Sequence, residues 1–197
     1  MNLPNKLTVA RIFLSPVFMV FFLIDNLWSK YAAFLVFVVA SLTDVYDGYI
    51  ARKTGIVTNF GKFMDPLADK LLTSMALISL VALDLPYVFG WMVVVIVARE
   101  IFITGLRTIA AYRGLLIPSS TAAKWKTVFQ MVFVNLTLVH IIAAATNERF
   151  GTPLLIIGDK RIEGILMGLL TATMLLTLLT GLHYLLANRE FIKRTLS

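Results

Sequence analysis

The chain has no cysteine, which removes disulfides, thiolate metal sites and cysteine nucleophiles and leaves the redox compartment open. Two histidines are too few for a zinc site built on imidazoles. Charge is scarce as well: 15% of the residues are charged, against about 25% in soluble domains, while 59% are apolar and the mean hydropathy is +0.86. A chain of 197 residues with that balance cannot close a water-soluble core around its apolar majority. It reads as an all-α integral membrane protein. A bilayer takes about 20 apolar residues per helix, so six spans consume roughly 120 residues and leave no room for a separate soluble domain. One membrane domain over 1–197 is expected.

The apolar runs cover Ile12 to Ile24, Tyr31 to Ile50, Pro66 to Leu83, Val88 to Tyr112, Thr121 to Ala145 and Ile162 to Ala187. The first follows Lys6 and Arg11 and could be mistaken for a secretory signal, but Asp25-Asn26-Leu27-Trp28 is a poor cleavage site, so it reads as a retained span. Asn2 to Thr8 is too polar to insert and is expected to form a short interfacial helix ahead of it. With both termini on one side, only Lys30, Arg149, Lys160 and Arg161 of the 18 lysines and arginines fall opposite. That bias puts both termini in the cytoplasm of a multi-pass membrane protein. The formal charge of +7 then belongs to topology and anionic lipid rather than to nucleic acid, which is not expected as a partner. Trp28, Trp91 and Trp125 fall near span ends, where indole rings anchor at the interface.

Four of the 11 acidic residues, Asp44, Asp47, Asp65 and Asp69, occur within 26 positions at the cytoplasmic ends of the second and third spans. At about 100° per residue the first two lie about 60° apart on one helix and the last two about 40° apart on the next, so each pair shares a face. The short connection makes these helices antiparallel neighbours whose acidic faces can meet. Left in lipid, each acid would cost roughly 2.5 to 3.5 kcal/mol, and like charges so close repel unless a cation sits among them. Carboxylates are hard ligands for Mg²⁺, Mn²⁺ or Ca²⁺, and four can hold two ions, a device that neutralises the oxygens of a phosphoryl transfer. Gly48 and Ala51 let a ligand or helix approach the backbone, and Arg52 is a fixed cation placed to grip a phosphate.

The spacing Asp44-x2-Asp47-Gly48-x2-Ala51-Arg52-x8-Gly61-x3-Asp65-x3-Asp69 resembles, without a departure, the signature of the CDP-alcohol phosphotransferase family. The resemblance implies a six-span enzyme, usually a homodimer, that displaces CMP from a CDP-linked donor with an alcohol. It implies that Asp44, Asp47 and Asp65 bind two divalent cations, Mg²⁺ or Mn²⁺, with Asp69 completing the site and acting as general base. Asp44, Asp47, Gly48, Ala51, Arg52 and Gly61 would meet the donor nucleotide. Asn2-Leu3-Pro4-Asn5-x-Leu7-Thr8-x2-Arg11-x4-Pro16, Ala98-Arg99-Glu100, Arg107 and Lys124-x-Lys126-Thr127-x2-Gln130 are similar to the bacterial phosphatidylglycerophosphate synthases within that family. That likeness implies transfer of a phosphatidyl group from CDP-diacylglycerol to glycerol 3-phosphate, giving phosphatidylglycerol phosphate and CMP.

An anionic acceptor also follows from the residues. Glu100, Thr104 and Arg107 share a helix face, which lets Arg107 point inward with a partner. Lys124 and Lys126 stand about 200° apart, so one of them alone can face a pocket. Lys124, with Thr121 one turn before it, is taken as the inward pair and Lys126 as an interfacial anchor. Arg11, Arg107, Thr121 and Lys124 are thus the candidates for the acceptor phosphate. His140 and His183 each stand alone in an apolar helix and are expected to be packed or hydrogen-bonded. Asp159, Lys160, Arg161 and Glu163 read as a solvated loop on the far side. Two rivals stand beside this reading: a same-family enzyme using inositol phosphate, serine or phosphatidylglycerol, and a cation transporter with acids along its path. A transporter needs acids at the midplane and on a route to both faces, whereas these four cluster toward one end.

Overall fold

Lipid offers no partner to a backbone N–H or C=O, so apolar runs must close their hydrogen bonds within helices. The computed structural model describes residues 3–54, 59–113, 121–151 and 160–189, and within them the side chains other than those of 3–5, 44–54, 59–63, 65 and 121–123. Helices are the regular elements among the described residues: α1 (Leu3–Leu23), α2 (Leu27–Thr54), α3 (Asn59–Ala82), α4 (Gly90–Tyr112), α5 (Thr121–Phe150) and α6 (Lys160–Ala187). Three of them are long and apolar enough to cross a membrane, over Lys6–Leu23, Lys124–Phe150 and Lys160–Ala187, and α2 adds a shorter apolar stretch, Leu27–Thr43. α4 carries Arg99, Glu100 and Arg107 within its apolar run.

Two expectations change. The polar N-terminal segment is not a separate interfacial helix: α1 runs unbroken from Leu3. Pro4 stands in its first turn, where a missing N–H costs nothing, and Thr8 and Arg11 are buried against neighbouring helices instead of lying on a surface. Likewise α3 begins at Asn59 and carries Pro66 inside it, one ladder bond short, rather than starting at that proline. Helices therefore continue beyond the apolar runs.

α1 packs on α2 and α3, α4 lies against α3 and α6, and α5 lies against α6 and reaches α2 and α3; α2 and α3 touch, as their short connection requires. The core begins with Phe18 stacked on Phe22 (centroids 5.4 Å) and tilted against Phe37 (5.4 Å). It continues through Leu72, Leu77, Leu80, Ile96, Phe133, Leu138, Leu166 and Leu170. Burying one such side chain is worth roughly 1.5–3 kcal/mol in water, but between lipid-bathed helices close packing and polar ties matter more. Ser29 donates to the Phe21 carbonyl (2.7 Å) across the α1–α2 turn, and Tyr31 and Thr146 share a 2.9 Å hydrogen bond between α2 and α5. Large apolar side chains such as Phe13, Leu35, Val94 and Leu179 face outward, as a hydrocarbon-facing surface requires. Trp28, Trp91 and Trp125 are exposed near the ends of α2, α4 and α5. At the end of α5, Gly151 takes φ +66 and its N–H bonds the Asn147 carbonyl at 2.8 Å, a left-handed stop that favours glycine.

Candidate active site

Asp44 and Asp47, with Gly48, Ala51 and Arg52, lie in the last turns of α2, and Gly61 and Asp65 in the first turns of α3; their side chains, and that of Thr121, are outside the described ones. Asp69 is described. It sits on α3, half-exposed, with its Oδ2 2.8 Å from the ammonium of Lys70. The four aspartates thus fall on two helices that touch. Among the described residues no group of three His, Cys, Asp or Glu side chains comes together.

Behind Lys70 lies a polar centre that joins α4 to α5. Glu100 is 1% exposed, Lys126 6% and Gln130 2%. One carboxylate oxygen of Glu100 accepts the Lys126 ammonium, and the other accepts the Gln130 side-chain N–H at 3.3 Å. Lys70 is near enough to act on the charge of Glu100 as well. Lys126 and Gln130 are one turn apart on α5, so a single helix face supplies both donors. This reverses the assignment of the two lysines: Lys126 faces inward and Lys124 is exposed. The periodicity allowed only one of them inside, and the buried carboxylate on α4 selects the one whose face meets it.

Arg99 and Arg107 line the α4–α6 side. The Arg99 Nη2 donates to Thr180 at 2.9 Å. A Cβ at Gly181 would fall 2.7 Å from the Arg99 Nε, so α6 has a glycine where the arginine crosses it. Arg107 does point inward with a partner, and that partner is the Tyr184 ring, 5.7 Å below its guanidinium. Neither arginine forms an ion pair within 4 Å among the described residues, and the Nε of each is buried without a hydrogen-bond partner there. Lys70 and Lys126, by contrast, each have a carboxylate partner. Arg11 is 1% exposed, with the Ser15 hydroxyl donating to its carbonyl at 2.8 Å.

Two apolar grooves flank this region. One, of about 310 Å³, runs between α3 and α4 past Pro66, Lys70 and Thr104. The other, of about 580 Å³, runs between α4 and α6 past Arg99, Phe102 and Leu182. At the opposite end of the bundle, His140 is packed edge-on against Tyr87 (5.9 Å), as expected of a lone helix histidine. His183 instead lies on an exposed face. Lys160 and Arg161 are exposed and Glu163 is half-buried, at the start of α6 rather than in a loop. Burial, with a smaller contribution from Glu163, pushes the Tyr87 phenol up to about 12.

Sequence reasoning passed over the Glu100–Lys126–Gln130 centre as a site. The signal was present, since a glutamate inside an apolar helix needs a partner and the lysine 26 residues later is its match.

Residues 1–182 match the profile of the CDP-alcohol phosphatidyltransferase family. The chain is similar to a protein of Bacillus subtilis (strain 168) named CDP-diacylglycerol–glycerol-3-phosphate 3-phosphatidyltransferase, 46% identical over 151 residues that cover 71% of this chain and 77% of the relative. Proteins of the same name from Rickettsia felis and Pseudomonas fluorescens are also similar. The first is 37% identical over 195 residues, 96% of this chain and 97% of the relative, and the second 39% over 149 residues, 71% and 73%.

Proposed function

The chain belongs to the CDP-alcohol phosphatidyltransferase family, and on that premise we propose that it transfers the phosphatidyl group of CDP-diacylglycerol to sn-glycerol 3-phosphate, giving phosphatidylglycerol phosphate and CMP. The observation that supports the choice of acceptor is a pair of half-buried arginines between α4 and α6: Arg99 and Arg107 form no ion pair among the described residues, while Lys70 and Lys126 are already paired. A phosphate supplies the missing charge, whereas a choline or ethanolamine head would be repelled.

Six spans with both termini and the active site on the cytoplasmic side, in a homodimer, complete the reading. The donor enters sideways from the bilayer, and the α3–α4 groove beside Lys70 offers an apolar path for its chains. Asp44, Asp47, Gly48, Ala51, Arg52 and Gly61 hold the cytidine diphosphate. Asp44, Asp47, Asp65 and Asp69 would hold two Mg²⁺ or Mn²⁺ ions, which neutralise the diphosphate oxygens. Arg11, Arg107 and Thr121 receive the acceptor phosphate, with Lys124 at the exposed rim steering the anion in. Asp69 takes the proton of the acceptor's 1-hydroxyl. The freed oxygen bonds the phosphorus nearest the lipid, and the bond from that phosphorus to the bridging oxygen breaks, so CMP leaves with that oxygen.

The test is CMP release by purified protein given CDP-diacylglycerol and a panel of acceptors. Glycerol 3-phosphate is expected to be the preferred acceptor; preference for inositol phosphate, serine or phosphatidylglycerol would reassign it. Ion flux through proteoliposomes without CMP release would make the chain a transporter.

A further inference from the structure

Gln130 is locked by chemistry rather than by space. Its neighbour Glu100 is a carboxylate, which only accepts, so the amide must turn its –NH₂ toward Glu100 Oε2, as it does at 3.3 Å. Glu100 cannot turn away, because its other oxygen takes the Lys126 ammonium. The planar amide then aims Gln130 Oε1 away from Glu100. That oxygen is buried and accepts no hydrogen bond from any described residue. A flipped amide would set oxygen against carboxylate, so the vacant acceptor cannot be exchanged for a vacant donor. Buried acceptors left unpaired are uncommon and costly, which makes this oxygen a place where a ligand's donor belongs.

A phosphorylated polyol presents three kinds of group. Its phosphate needs cations, the role given to Arg11 and Arg107; its attacking hydroxyl needs a base, the role given to Asp69; its remaining hydroxyl needs an acceptor. A carboxylate there would repel the phosphate, whereas a neutral amide oxygen does not. We propose that Gln130 Oε1 accepts a hydrogen bond from the 2-hydroxyl of the acceptor, with Glu100 and Lys126 as positioning residues that fix the amide. Gln130 is thereby the residue that selects a hydroxyl on the carbon next to the attacking one. The inference rests on the acceptor reading above and assigns Gln130 a part in it.

The experiment compares kcat/KM for glycerol 3-phosphate with that for 3-hydroxypropyl phosphate, which lacks only the 2-hydroxyl, with CDP-diacylglycerol as donor. The wild type is expected to prefer glycerol 3-phosphate by about 10- to 100-fold, the range for leaving one buried acceptor unpaired. Gln130→Met should bring the ratio near one, by losing activity on glycerol 3-phosphate through KM, since the 2-hydroxyl is held alike before and during transfer. Should that variant not fold, Gln130→Asn keeps the amide, withdraws its oxygen by one methylene, and is expected to lower the same ratio. A wild-type ratio near one, or a ratio unchanged in an active variant, overturns the proposal; equal losses on both acceptors leave Gln130 a structural residue and overturn it too. Wild-type protein that releases CMP with other acceptors but not with glycerol 3-phosphate refutes the acceptor reading itself, and the inference with it.

Discussion

Replacing Lys126 with methionine separates the two lysines near the start of α5 by the consequence of burial. Lys126 is 6% exposed and its partner Glu100 1%. Removing one member of a buried pair leaves an uncompensated charge and costs about 3–5 kcal/mol. For a chain of this length each kcal/mol moves the midpoint by roughly 2–4 °C, so Lys126→Met should lower Tm by roughly 6–20 °C. Lys124 is exposed, and Lys124→Met should stay within about 0.5 kcal/mol of wild type. A third variant isolates the cause. Glu100→Met combined with Lys126→Met replaces both charges by apolar groups of similar size, a change that is often neutral, and should recover most of the lost stability. Thermal unfolding of the purified protein in detergent micelles reads all three. Equal losses for Lys124→Met and Lys126→Met, or a double variant no more stable than the single one, would refute the buried pair as the tie between α4 and α5.

Gly181→Ala puts a methyl 2.7 Å from the Arg99 Nε and 3.2 Å from its Cγ, so the arginine must leave Thr180; a loss of about 1–3 kcal/mol in stability is expected, and an unchanged Tm would count against the close crossing. Tyr87 gives a pH dependence. Its folded phenol, pushed up to about 12 from 10.0, stays protonated where the unfolded one ionises, so stability is full below pH 10 and falls by up to about 2.7 kcal/mol as pH rises to 12. Tyr87→Phe should remove that component, and identical alkaline losses in urea unfolding of the two proteins would contradict it. Asp69→Asn should cut CMP release by about 100-fold or more while leaving metal-dependent CDP binding in place, measured by calorimetry. EDTA should stop turnover and added Mg²⁺ or Mn²⁺ restore it; unaffected activity in metal-free membranes would refute the metal requirement.

What the sequence made legible was whatever a fixed local spacing can encode. The helical placement of the aspartates, at three- and four-residue intervals on α2 and α3, follows from helix periodicity alone. The rest depended on what stands opposite in space. Periodicity ruled that Lys124 and Lys126 could not both face inward but carried no term for Glu100, which sits on another helix and made the choice. Gln130 was visible in its motif, yet its meaning lies in an oxygen left without a donor, which no spacing records. Gly181 reads as a weak helix residue until Arg99, distant in sequence, is seen to lie across it.

Element ends failed for a different reason. Apolar runs measure how far a helix is in lipid, not how far it is a helix, so α2 extends to Thr54 and α3 back to Asn59 beyond the expected spans. The difference bears on the chemistry. Asp44, Asp47 and Asp69 already lie within the expected spans, and the extension of α3 takes in Asp65 as well. Carboxylates spaced along a helix keep a fixed separation, whereas the same residues on a loop would not. Helical placement of all four acids is therefore what the proposed metal site requires, since a donor set for divalent ions needs ligands held on rigid elements.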